Sequence, residues 1–208
     1  MHISHIRALL EIGAGLTGLL GLALFYTDTC QSVHVTDGHP NCISNINICN
    51  SLTKHKNQRH IQSGNLFIDR LRWVKNDTHD ELKSIFHSLS EVYNNKSKRF
   101  DFILGCDCLF FTDFHHDLLW LLDQALSFED HTRCYLMQPS RGITMEKFIQ
   151  IVNDSNIFDV EILHEYSSKV SEIHEKYRET SQEQSDSTYN PDIHYPILII
   201  LKRKKINI

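Results

Sequence analysis

At 208 residues the chain has room for one α/β domain and not for two large ones; 41% hydrophobic and 23% charged residues exclude a fibrous or disordered chain. A formal net charge of -5 gives no general attraction to nucleic acid or to anionic membranes, so neither is expected as a partner. Six cysteines (Cys30, Cys42, Cys49, Cys106, Cys108, Cys134), none at CxxC spacing, read as buried thiols of a reducing compartment, and the expectation is a cytoplasmic chain small enough to reach the nucleus.

The run from Ala8 to Tyr26 is nearly all apolar, but Glu11, Gly13, Gly15 and Gly18 interrupt it. A membrane span needs about 20 apolar residues in helical continuity, so the run divides into a buried strand over 7–12, a glycine turn and a core-facing helix over 17–25. A second strand over 33–36 ends at Asp37-Gly38, and Pro40 suits the first turn of a helix that turns Ile43, Ile46 and Cys49 inward. Residues 65–73 alternate as a third strand, and Leu82, Ile85, Phe86, Leu89 and Val92 recur at helical spacing. A fourth strand is predicted over 100–108, where alternation also explains Cys106-x-Cys108 more simply than a metal pair does. A helix follows through Phe114, Leu118, Leu121, Leu122 and Ala125, with His115-His116 on a solvated face.

A fifth strand spans 132–138, a helix carries Met145, Phe148, Ile149 and Val152, and a sixth strand spans 158–163. The polar stretch 164–190 holds one amphipathic helix through Val170, Ile173 and Tyr177. The last strand runs over 195–201, with Pro196 at its beginning. Strands alternating with helices of this length predict βαβ units, hence an α/β fold with a mostly parallel, seven-stranded sheet and helices on both faces. Ligands of such sheets sit beyond the carboxyl ends of the strands, where the strand order reverses.

Chemistry-bearing residues recur at those ends. After the first strand comes Gly13-Ala14-Gly15-Leu16-Thr17-Gly18, a turn that lets backbone approach a ligand closely; alone it matches a dinucleotide site equally well. Asp37, after the second strand, either accepts both hydroxyls of an adenosine ribose or caps the next helix. Glu11, just before the glycines, sits poorly against a pyrophosphate and well near a positively charged cofactor. Trp73, after the third strand, either offers an aromatic face to an adenine or fills the core. Asp107 follows the fourth strand as a ligand-edge carboxylate or a helix-start one. No Tyr-x-x-x-Lys pattern of an NAD-dependent oxidoreductase is evident.

The ordered set Glu11-x-Gly13-x-Gly15, Thr36-Asp37-Gly38, Leu71-Arg72-Trp73 and Asp107-Cys108-Leu109-Phe110 resembles the seven-strand, lysine-specific protein methyltransferases of the Rossmann-like class I fold. Within them, Pro139-Ser140-Arg141-Gly142 and 194–200 resemble the calmodulin-lysine N-methyltransferase branch. The resemblance runs from Ala8 to Lys202, with Ser140 standing where that branch has a second Arg. It implies one S-adenosylmethionine-dependent domain over 1–208, and it implies that Glu11, Gly13, Ala14, Gly15, Thr17, Asp37, Trp73 and Cys106 bind the S-adenosyl-L-methionine. Asp107 and Phe110 would serve the substrate lysine as the Asp-x-x-Phe motif.

A protein substrate follows, calmodulin first, with the chain acting as a monomer and without a metal. Arg141 and Lys202-Arg203-Lys204-Lys205 are the basic groups available to dock so acidic a protein. The branch carries a substantial region before its first strand, whereas that strand starts here almost at Met1. An N-terminally short chain that only binds cofactor or protein is therefore the alternative expectation.

Overall fold

The computed structural model describes residues 6–56, 64–93, 99–183 and 188–205. Its strands are β1 (Ile6–Ile12), β2 (Cys30–Asp37), β3 (Asn65–Arg70), β4 (Phe102–Cys106), β5 (Arg133–Gln138), β6 (Phe158–Leu163) and β7 (Ile197–Arg203). Its helices are α1 (Leu19–Tyr26), α2 (Pro40–Lys56), α3 (Lys75–Val92), α4 (His115–Ala125), α5 (Thr144–Ser155), α6 (Ser168–Glu183) and α7 (Pro191–His194). The strands form one sheet in the order β3-β2-β1-β4-β5-β7-β6, with β7 antiparallel to both neighbours and the other pairs parallel.

Side chains alternate across a strand, so β1 feeds both faces of the sheet. Ala8, Leu10 and Ile12 join a core with Leu82, Ile85 and Leu89 of α3, Leu118, Leu121 and Leu122 of α4, and Phe148 and Val152 of α5. Leu9 points the other way, into a second core with Leu22 and Phe25 of α1 and Ile46 of α2. Both faces are covered, as the near-continuous burial of β2 also requires. The expected seven-stranded, mostly parallel sheet between helix layers is the observed architecture. No helix among the described residues is long and apolar enough to cross a membrane.

Several local expectations are corrected. The first helix starts at Leu19 rather than Thr17, because Gly18 adopts a left-handed conformation (φ 54°, ψ 35°) and breaks the turn from the helix. A Cβ there would lie 2.9 Å from Val35 and 3.0 Å from Ile46, so a hydrogen is all that fits between α1, β2 and α2. β3 stops at Arg70, three residues before Trp73. Leu71 N–H still reaches the Asp37 carbonyl at 3.0 Å, but Arg72 N–H turns to Glu81 Oε2 at 2.7 Å and draws the chain towards α3.

Cys108 lies beyond β4, buried with its Sγ directed at the Ile12 carbonyl, so strand alternation does not account for the Cys106/Cys108 pair. Cys106, expected to be buried, is exposed. His115 is not on a solvated face: it is buried, packs edge-on against Phe148 at 5.3 Å, and its Nε2 donates to the Leu109 carbonyl at 2.9 Å. The amphipathic helix of the polar excursion is α6, and a further short helix, α7, follows it.

Candidate functional site

The carboxyl ends of β1, β2, β3 and β4 lie side by side, and the segments leaving them enclose one cavity of about 670 Å³. Its wall includes Gly13 and Gly15 after β1, Asp37 to His39 at the end of β2, Leu71 to Val74 after β3, and Cys106 to Cys108 at the end of β4 with Phe110, Phe111 and Phe114 beyond it. That volume is within the usual range for a small-molecule cofactor. It sits at the β1/β4 junction, where the strand order reverses.

The glycine turn and Asp37 hold each other. Gly15 N–H donates to Asp37 Oδ2 at 2.9 Å, His39 N–H to Asp37 Oδ1 at 2.8 Å, and Ala14 N–H to the Thr36 carbonyl at 2.9 Å. Asp37 thus combines both readings of its position: it orders the entry to α2 and presents its carboxylate to the cavity. A Cβ on Gly13 would meet Trp73 and Cys108 at 3.0 Å, whereas one on Gly15 would enter open space. Trp73 likewise combines its two readings, packing against the main core while walling the cavity.

Of the residues singled out in the sequence, Gly13, Gly15, Asp37, Trp73, Cys106, Asp107 and Phe110 come together in this wall; Glu11, Ala14 and Thr17 are not part of it. Ala14 packs on the second core, and Thr17 is exposed on the turn. Glu11 lies behind the turn, 4% exposed, with Oε2 accepting from Gly21 N–H at 2.9 Å. Burial pushes its carboxyl up to about 7, against the opposing pull of that hydrogen bond. Cys106 is exposed at its surface, yet partial desolvation by the surrounding wall, then the Glu11 and Asp107 carboxylates, raise its thiol above its ordinary value.

Asp107 has φ 53° and forms a two-pronged ion pair with Arg141: Nε to Oδ1 at 2.8 Å and Nη2 to Oδ2 at 2.6 Å. The Arg141 guanidinium also lies 6.0 Å from the Phe110 ring centre. Sequence reasoning missed this pairing, because no spacing relates residues 34 apart on different loops. It missed Gln138 too, whose Oε1 accepts from Leu109 N–H at 3.0 Å and, with His115, holds the loop after β4. Ser140, the departure from the family pattern, donates to Asp192 Oδ1 at 2.5 Å and ties the loop after β5 to α7. Phe111 and Phe114 complete the apolar mouth; two further aromatics close after Phe110 were the available signal.

A parallel βαβ sheet with this cavity belongs to the cofactor-binding α/β class, and the antiparallel β7 between β5 and β6 separates it from the dinucleotide order 3-2-1-4-5-6. Solved methyltransferases share the architecture. A CurJ carbon methyltransferase has a TM-score of 0.54 at 13% identity, over 99% of this chain and 50% of that one. The plantazolicin methyltransferase BamL, solved with a substrate analogue and SAH, has a TM-score of 0.51 at 13% identity, over 95% and 77%. The fold is thus the Rossmann-like class I methyltransferase fold.

The sequence profile of the lysine methyltransferase family matches residues 2–155, and the chain belongs to that family. Its cofactor is S-adenosylmethionine. A curated relative, the calmodulin-lysine N-methyltransferase of Arabidopsis thaliana, is 25% identical over 193 residues, 93% of this chain and 56% of that protein. The chain therefore spans little more than half the length of that relative.

Proposed function

We propose that this chain is an S-adenosylmethionine-dependent protein-lysine N-methyltransferase acting on a lysine of calmodulin, as a cytoplasmic monomer with access to the nucleus. The observation that carries the reading is the convergence of the glycine turn, Asp37, Trp73 and the Asp107/Phe110 pair on one cavity. The open space at Gly15 leaves room for a ligand against the turn, and the Asp37 carboxylate beside it suits the hydroxyls of an adenosine ribose. Support for calmodulin comes from the relative's identity over nearly the whole of this chain.

Gly13 and Gly15 would give backbone to the cofactor, Asp37 would accept the ribose hydroxyls, and Trp73 and Cys106 would flank the adenine. When bound, S-adenosylmethionine supplies a methyl group already activated on its sulfonium, so the protein's contribution is orientation and electrostatics. Asp107 accepts a hydrogen bond from the lysine amine and aims its lone pair. Phe110, Phe111 and Phe114 line the entry with apolar surface that suits the lysine methylenes and excludes water. No general base is needed, since the lysine loses its proton to water before entry.

Incubation of the chain with isotope-labelled methyl donor and unmodified calmodulin tests the reading. Label on lysine is expected, with loss of the signal in Asp107→Ala. Binding of S-adenosylhomocysteine without any transfer would instead support the cofactor-binding module that does not turn over.

A further inference from the structure

The Asp107–Arg141 pair bears on a requirement of the proposed reaction, and the inference rests on that reading. Only a neutral amine can attack the methyl group, yet a free lysine is protonated up to about pH 10.4. An unpaired carboxylate beside the amine favours the ammonium and works against transfer. Here the carboxylate is paired: Arg141 takes one lone pair on each Asp107 oxygen through its fork. The remaining lone pairs stay available to a substrate N–H. Asp107 lines the cavity while Arg141 stands outside the lining.

The backbone shows that this arrangement is held in place. Four residues other than glycine have positive φ among the described residues: Asp28, Asp107, Arg141 and Asn156. Asp28 directly follows the C-cap of α1 and Asn156 caps α5, places where Asp and Asn adopt this conformation readily. Asp107 (φ 53°) and Arg141 (φ 48°) have no such helix end, and they face each other. Asp107 N–H is tied to the Met137 carbonyl at 2.8 Å, and Arg141 N–H to the Asp192 carbonyl at 2.8 Å. The Asp192 carboxylate takes Ser140 Oγ and Gly142 N–H at 2.8 Å, so α7 clamps the loop from both sides. Strain at Arg141, a residue type that rarely adopts this conformation, where it faces Asp107 is the pattern of a functional constraint.

We propose that Arg141 is a positioning residue that neutralises Asp107, so that the carboxylate orients the substrate lysine without holding it as an ammonium. The other ionisable groups around the pair include the Cys106 and Cys108 thiols, Glu11 behind β1, Asp37, His39 and Arg72 on the cavity wall, and Asp192 on the clamp. All are shared by the proteins compared below, so a difference between those proteins reports on Arg141.

Single-turnover methyl transfer is measured against pH in the wild type, Arg141→Gln and Arg141→Lys, each with S-adenosylhomocysteine affinity checked. Loss of the charge in Arg141→Gln is expected to move the acid limb up by about one pH unit or more, while Arg141→Lys keeps the wild-type limb. A rate in Arg141→Gln reduced by one factor at every pH would overturn the proposal and leave Arg141 a structural residue.

A second measurement needs no turnover. n-Butylamine is titrated by NMR into each protein saturated with S-adenosylhomocysteine, at about pH 7, where it is an ammonium, and at about pH 10.5, where about half of it is the neutral amine. Tighter binding at the higher pH in the wild type, reversed in Arg141→Gln, supports the proposal. The same pH preference in both, or no binding in either, overturns it. A chain that methylates no protein yet shows the reversal would sink the proposed function and leave the charge relation standing.

Discussion

Glu11 and His115 are ionisable groups taken out of water, and they give opposite pH signatures. Burial raises the Glu11 carboxyl from 4.5 to about 7 in the folded chain. The folded state therefore holds this proton more tightly than the unfolded state. The associated stability is present below about pH 4.5 and is lost as pH rises to about 7, an order-of-magnitude loss of about 3 kcal/mol. Glu11→Gln keeps the acceptor for Gly21 N–H without the charge. Thermal melts should show it more stable than wild type at pH 8 and equal at pH 4; equal melting at both would remove Glu11 as a buried acid. His115 is shifted down by burial, so its contribution is present above the ordinary imidazole range and lost as pH falls through its depressed value.

Asp37 gives a prediction of a different kind. Asp37→Ala should weaken S-adenosylhomocysteine binding by about 1–3 kcal/mol through lost charge-assisted hydrogen bonds. Calorimetry with unchanged affinity in a folded mutant would take Asp37 out of the site. The residue types at these positions were legible in the sequence, but the partner of each was not. Glu11 reads as a cofactor residue by position, and only the packed structure shows its oxygen on the Gly21 amide.

Among the elements, those with strong periodicity follow the sequence closely. The sixth strand is observed over Phe158–Leu163, as expected, and the helix through Met145 and Val152 is α5. Boundaries were legible only where local chemistry sets them. By its alternation alone the third strand continues to Trp73; Glu81, nine residues beyond Arg72, ends the pairing by taking the Arg72 amide. α7 has four residues and no period to detect, yet Asp192 on it holds the Ser140–Gly142 loop. At the start of α1, Gly18→Ala should destabilise the fold by about 2–4 kcal/mol, combining left-handed strain with overpacking against Val35 and Ile46. Denaturant unfolding measures it, and a loss under 1 kcal/mol would mean that α1 shifts to make room.

For the whole molecule, the sheet separates two ends that the sequence could not tell apart. Gln138 at the cavity end of β5 pairs with Ile197, so antiparallel β7 carries Lys202 to Lys205 to the opposite end. Seven residues at strand spacing place this basic tail about 20 Å from the cavity edge. Arg203 is committed there to Asp123 and to the Phe128 and Phe158 rings, and Lys205 pairs with Asp130. The tail expected to dock an acidic substrate therefore faces away from the chemistry. Lys202→Ala/Lys204→Ala is expected to leave the KM for calmodulin unchanged, and a several-fold rise would return the tail to the docking surface.

What the sequence alone determined is whatever rests on short-range physics: apolar periodicity set the elements, glycines set the turn, and the right-handed crossover set a parallel sheet with ligands at its carboxyl edge. The tertiary structure decided the pairings between distant loops and the direction of β7, and with them the Asp107–Arg141 fork, the burial of His115 and the end of the molecule that receives the basic tail. Those depend on which surfaces meet in space, and no local pattern of residues encodes that.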